Sequence, residues 1–185
     1  MTIPHELATP RLLLRRPIEA DAQLMFERYS ADPEVCRYLS WAPHRDVSET
    51  AAYLQSALAG MAEGTREMRL IFNLESGELL GSVGGVLQEH RLQFGYCLAR
   101  DAWGRGYATE AARAFVDAAI VAPSIWRVQA FCDVENRASA RVLEKTGLTL
   151  EGTLKRYLQM PNVSPEPRDM LCYAVVRENG RATAG

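Results

Sequence analysis

The chain has 185 residues, 48% of them hydrophobic and 24% charged, the balance of a globular protein with enough apolar material for one core. Its 21 basic and 23 acidic residues leave a net charge of −2. That does not point to nucleic acid, since proteins that live on phosphate backbones carry a basic excess. Four scattered cysteines (Cys36, Cys97, Cys132, Cys172) and three scattered histidines (His5, His44, His90) show no metal-ligand spacing and read as free thiols in a reducing compartment, with no metal. Met1 to Pro10 lacks an apolar signal core and no run of about 18 apolar residues follows, so the expectation is a cytoplasmic protein with no membrane partner.

In chain order, residues 1–9 read as a loose leader and Arg11–Arg16 as a first strand stopped by Pro17. Glu19–Ser30 carries Ala22, Met25, Phe26 and Tyr29 at helical spacing. Asp32-Pro33 opens a second helical piece, with Asp as cap and Pro at the first helical position. A third helix runs from about Ser48, its expected cap, to Met61. Strands are expected over Met68–Leu74 and Leu79–Leu87, joined by a hairpin at Glu75–Glu78. Gly81, Gly84 and Gly85 weaken the second of these or mark close packing. Leu92–Leu98 is the next strand, where Gly95 suggests a bulge. Helix 104–121 follows, with Ala111, Ala112, Phe115, Val116, Ala119 and Ile120 as its apolar stripe. Ile125–Cys132 is a strand, and Asn136–Thr146 a helix closed by Gly147. Strands near Leu148–Leu158 and Met170–Arg177 flank a proline-punctuated loop, Met160–Arg168, and residues 178–185 read as a frayed tail. With neither repeat nor linker, residues 1–185 form a single mixed α/β domain.

The informative stretch is Arg100 to Glu110. A strand runs through Gly104-Arg105-Gly106 into a helix, which is a phosphate cradle: a helix N-terminus presents unpaired N–H groups and a partial positive charge, and glycine lets backbone approach an anion. The third glycine of a dinucleotide fingerprint is missing, and so is the Gly-Lys-Ser/Thr of a P-loop. A short pyrophosphate-binding turn or a plain tight turn remains.

Downstream lies Asn136-Arg137-Ala138-Ser139, followed by Glu144-Lys145-Thr146-Gly147. With Trp103-Gly104-Arg105-Gly106-Tyr107-Ala108, which departs from the family's Gln/Arg-x-x-Gly-x-Gly/Ala turn only at the first position, this pair of motifs resembles the GNAT superfamily of acyl-CoA-dependent N-acetyltransferases. The branch it is most similar to contains the ribosomal-protein N-terminal acetyltransferases. The resemblance spans Thr9 to Tyr173. It implies an α/β (α+β) fold, with a mostly antiparallel sheet of about seven strands, flanked by helices on both faces and splayed between the fourth and fifth strands, Leu92–Leu98 and Ile125–Cys132. It further implies acetyl-CoA as cosubstrate and an amine acceptor, either a protein N-terminus or a small molecule, on a monomer or homodimer.

On that reading backbone N–H groups of Gly104, Arg105, Gly106, Tyr107, Ala108 and Thr109, beside Trp103, hold the pyrophosphate. Arg105 and Arg100 face phosphate or are solvated surface charges. N–H groups near Leu98 and Ala99 meet the pantetheine or thioester. Asn136 caps its helix and contacts the cofactor arm or a water, and Ser139 shares its helical face. Many family members carry a tyrosine seven residues after this asparagine as proton donor to the thiolate. Here that position is Leu143, leaving Ser139 or water. Tyr96 lines the thioester site or packs in the core. For the base the sequence offers Gln93, Glu89, Asp169 and Glu166, and for the acceptor surface Tyr38, Trp41, Met160 and Arg168. The alternative reading is an acyl-CoA-binding sensor domain with lost or weak catalysis.

Overall fold

The computed structural model describes residues 3–177. Its strands are β1 (Glu6–Ala8), β2 (Leu12–Arg15), β3 (Arg66–Asn73), β4 (Leu79–Gln88), β5 (Arg91–Leu98), β6 (Arg127–Asp133), β7 (Thr149–Leu158) and β8 (Arg168–Val176). They form one open sheet in the order β1-β2-β3-β4-β5-β6-β8-β7. All neighbours are antiparallel except β5 and β6, which run parallel. That parallel pairing covers only Leu92 with Val128 and the residue on either side of each, Arg91 with Arg127 and Gln93 with Gln129. Beyond Gln93 the two strands part, and the sheet opens as a V.

Helices cover both faces. On one side lie α1 (Ala22–Met25), continued by a wide turn over Phe26–Ser30, then α2 (Pro33–Cys36) and α3 (Val47–Ala62). Their apolar residues pack as one core with Leu70 and Leu79. On the other side α4 (Tyr107–Ile120) and α5 (Arg137–Lys145) pack with Leu14, Ile71, Phe94 and Val128. Adjacent residues Leu70 and Ile71 fall in opposite cores because side chains alternate across a strand. Phe115 and Ala112 of the expected α4 stripe are fully buried. Burying a side chain such as Phe115 stabilises by about 1.5–3 kcal/mol.

Four expectations change. Among the described residues the sheet has eight strands where about seven were expected, because part of the supposed loose leader, Glu6–Ala8, pairs with β2. The fully buried Arg69 anchors that leader, its guanidinium donating to the carbonyls of Ile3 and Pro4 at 3.2 and 2.6 Å. The cap of α3 is Asp46, whose carboxylate accepts from Ser48 N at 2.8 Å. Gly95 makes no bulge: β4 and β5 keep an unbroken register from Gly81–Leu98 to Gln88–Arg91. Gly81, Gly84 and Gly85 mark close packing, since a Cβ on Gly84 would lie 2.5 Å from the Glu67 carbonyl oxygen. The expected tail, 178–185, falls outside the described residues.

Candidate active site

The glycine turn follows a short helical turn at Arg100–Ala102 and leads into α4. Gly104 and Gly106 have φ of +74° and +81°, the left-handed region where a side chain is strained. Gly106 is the N-cap of α4, and among the described residues no side chain caps that end. The first-turn N–H groups of Tyr107, Ala108 and Thr109 therefore point outward with the positive end of the helix dipole.

The β1–β2 turn braces this feature. Arg11 Nη1 donates to the Arg105 carbonyl at 3.0 Å, and Arg11 Nε to Glu110 at 2.7 Å. Thr9 Oγ1 also donates to Glu110, at 2.6 Å, and the Arg11 guanidinium lies over the Tyr107 ring at 4.6 Å. Burial pushes the Glu110 carboxyl up, but the bonds from Thr9 and Arg11 more than offset it and hold it below the ordinary range.

A cavity of about 710 Å³ runs from this turn into the V. Its lining includes Leu98, Trp103, Gly104, Gly106, Tyr107, Ala108, Thr109, Asn136 and Ser139. Arg105 is exposed and does not line it, and Arg100 is held bidentately by Asp32 at 2.7 and 2.8 Å. The basic residues on the cavity wall are instead Arg37, Arg141 and Lys145, the last two one turn apart on α5. The Ala99 N–H is not available to a ligand, because it donates to the Leu80 carbonyl at 2.8 Å. Strand alternation turns the backbone groups of Leu98 the other way, toward the opening. There Trp103 Nε1 occupies the Leu98 carbonyl at 2.8 Å and leaves its N–H.

Asn136 caps α5, its Oδ1 accepting from Ser139 N at 3.1 Å, which leaves the Nδ2 donors unused among the described residues. Ser139 Oγ lies 3.0 Å from the Tyr96 hydroxyl, so a residue of β5 spans the V to one of α5. Burial raises the Tyr96 pKa far above the usual phenol value, with the Ser139 contact acting against it, so Tyr96 keeps its proton. Burial likewise pushes the nearby Cys132 thiol up to about 11 and keeps it neutral. Leu143 is buried in the core.

A second cavity, of about 340 Å³, opens beneath the helices of the other face. It shares Tyr38, Leu39, Phe94, Gly95, Tyr96, Cys97 and Phe131 with the first, so the two meet at the V. Tyr38, Trp41 and Met160 line it, while Arg168 binds Asp133 at 2.8 Å instead. Asn162 of the proline loop donates to the carbonyls of Cys36 and Trp41, both at 2.7 Å, and holds the wall in place.

Of the base candidates only Gln93 reaches a cavity. Glu89 is exposed in the β4–β5 turn, Asp169 binds Lys155 and Arg156, and Glu166 binds Arg156. Sequence reasoning missed His44, which lines the second cavity between Trp41 and Tyr53, at ring centroid distances of 4.9 and 6.3 Å. Its Nδ1 lies 2.7 Å from Thr50 Oγ1, and burial lowers its pKa, so the ring is neutral at pH 7. Among the described residues no cluster suited to a metal ion occurs, and no helix is long and apolar enough to cross a membrane.

A family model described as an acetyltransferase (GNAT) domain matches residues 11–149. The protein named uncharacterized N-acetyltransferase p20 of Bacillus licheniformis is 32% identical over 154 residues, covering 82% of this chain and 86% of the relative. The fold matches RimL, a ribosomal alpha-N-protein acetyltransferase in complex with coenzyme A, with a TM-score of 0.82 at 23% identity over 94% of this chain and 97% of that one. It matches Mycobacterium smegmatis RimJ in complex with CoA-disulfide with a TM-score of 0.79 at 24% identity over 89% and 81%. At these identities the structural likeness is one of fold.

Proposed function

Because this chain belongs to the GNAT acetyltransferase family, we propose that it transfers the acetyl group of acetyl-CoA to a primary amine by direct attack in a ternary complex. The observation that carries this reading is the meeting of two cavities at the V, one ending at an uncapped helix N-terminus and the other walled by aromatic side chains. Acetyl-CoA supplies an activated acyl group that a neutral amine can take.

The protein's part is placement and charge. Backbone N–H groups from Gly104 to Thr109 hold the pyrophosphate, with Arg141 and Lys145 supplying positive charge on the facing wall. The Leu98 N–H and Asn136 Nδ2 meet the pantetheine arm or thioester oxygen. Ser139 donates a hydrogen bond to the departing sulfur, and Tyr96 orients that hydroxyl from across the V. Serine and a raised-pKa tyrosine are both far weaker acids than a thiol, so they stabilise the thiolate by hydrogen bonding rather than by giving up a proton. His44, neutral and lining the acceptor cavity, takes the amine proton through water. Binding the amine away from bulk water favours its uncharged, reactive form.

The test is a melting titration with acetyl-CoA followed by free-thiol release against a panel of amines and N-terminal peptides. Stabilisation with release for one acceptor is expected. Stabilisation without release for any acceptor favours an acyl-CoA-binding module, the reading that Leu143 in place of the family's tyrosine supports. No stabilisation of the folded protein refutes both.

A further inference from the structure

The second cavity has an uneven charge distribution that bears on its occupant. Glu67 enters the lining on β3, but strand alternation sends its carboxylate to the opposite face of the sheet with Ile71, where Arg69 Nη1 donates to it at 2.8 Å and Arg16 Nη2 lies 3.4 Å from both of its oxygens. No other carboxylate lines the cavity among the described residues. Arg66, with the parity of Met68, faces the cavity and forms no ion pair among the described residues. Its stem is seated on α3 at Gly60, where a Cβ would lie 2.9 Å from Arg66 Cδ, so a larger residue there would displace it.

The rest of the lining is largely aromatic, with Tyr29, Tyr38, Trp41, Tyr53, Phe94 and Phe131. The volume of about 340 Å³ is that of a small-molecule site.

We propose that the acceptor is a small primary amine that also carries a carboxylate and an aromatic or apolar body, such as an aromatic amino acid, with Arg66 pairing with the carboxylate and the aromatic side chains packing against that body. This rests on the acetyl-transfer reading above. A polyamine would bring positive charge into a cavity that already holds Arg66 and into which no carboxylate points among the described residues, and it would lose hydration without a counter-charge. A peptide N-terminus would set a neutral amide where the carboxylate belongs and leave Arg66 unpaired.

The experiment measures thiol release from acetyl-CoA with phenylalanine, phenylalaninamide, spermidine and an N-terminal peptide. Rates are compared on the concentration of unprotonated amine. The inference expects kcat/KM for phenylalanine to exceed that for its amide by about 10- to 100-fold, the range of a charge-assisted contact. Arg66→Gln should bring that ratio near one while the amide reacts within a few-fold of its former rate, and Arg66→Lys should retain part of the preference. A ratio near one in the unaltered protein, or preference for spermidine or the peptide, overturns the acceptor class and leaves acetyl transfer standing. Release with none of the four, or with any other amine, while acetyl-CoA still stabilises the protein overturns acetyl transfer and this inference together.

Discussion

Substitution at Gly106 separates backbone strain from cofactor electrostatics. The residue sits at φ +81° and ψ 0°, and a Cβ there would meet only Arg11 Nη2, at 3.4 Å. Gly106→Ala therefore costs the left-handed strain alone, about 1–2 kcal/mol. For a chain of this size, each kcal/mol moves the melting temperature by roughly 2–4 °C, so the unliganded protein should lose about 2–8 °C. Gly106→Glu carries the same strain and adds a carboxylate beside the proposed pyrophosphate. At about 6 Å and an effective dielectric constant of about 20, that repulsion is about 2.8 kcal/mol per unit charge, or roughly 100-fold in affinity. At a ligand concentration about 100 times Kd the unaltered protein gains about 2.7 kcal/mol from acetyl-CoA, an upward shift of roughly 5–11 °C. In Gly106→Glu the same concentration is about equal to Kd, and the gain falls to about 0.4 kcal/mol, or 1–2 °C. Thermal-shift titrations of the three proteins at low salt read these values, and Gly106→Ala should keep most of the ligand shift. A full shift in Gly106→Glu would refute the assignment of the pyrophosphate to this turn.

Other perturbations test the parts around it. Glu110→Gln removes the charge that Arg11 and Thr9 hold, and should cost about 1–2 kcal/mol, less than a fully buried charged bond because Arg11 is half exposed; denaturant unfolding checks it. Because the Glu110 carboxyl is held low, its contribution is present above the unfolded carboxyl pKa of about 4.3 and fades as the solution is acidified through the folded value. Ser139→Ala should lower turnover more than acetyl-CoA affinity, and Tyr96→Phe should lower turnover by about 10-fold or less, as a lost orienting hydrogen bond would; steady-state kinetics beside melting shifts distinguishes the two effects. His44 has a lowered pKa, so kcat/KM should fall on acidification below about pH 6.5 as the ring gains its proton, and His44→Gln should be slower with that limb reduced.

How far the sequence was legible depended on how local each determinant is. The glycine turn could be read because two left-handed residues before a helix demand glycine, and the α4 stripe because helical periodicity is written in consecutive residues. The strand β1 was not legible: three residues carry little periodicity, and what fixes them is Arg69, more than sixty positions away. Gly95 suggests a bulge, yet β4 and β5 stay in register, and the opening comes from β6 abandoning β5 after Gln129. The resemblance located that opening; periodicity did not. Asp46 and Ser48 are both good caps, and only the chain path decides between them. His44 carried no signal because its enclosure by Trp41, Thr50 and Tyr53 is set by the path of the chain into α3, which periodicity does not report. The same holds for Arg66, whose environment is set by the pairing of β3 and the packing of α3.

The most direct test of acetyl transfer is a single-turnover incubation of excess protein with acetyl-CoA and the preferred amine, followed by mass spectrometry of acceptor and protein. The account expects one acetylated amine for each free CoA and an unmodified protein throughout. Acetyl retained on the protein, at Cys97 or Cys132 for instance, or CoA released with no acetylated amine, would contradict direct transfer.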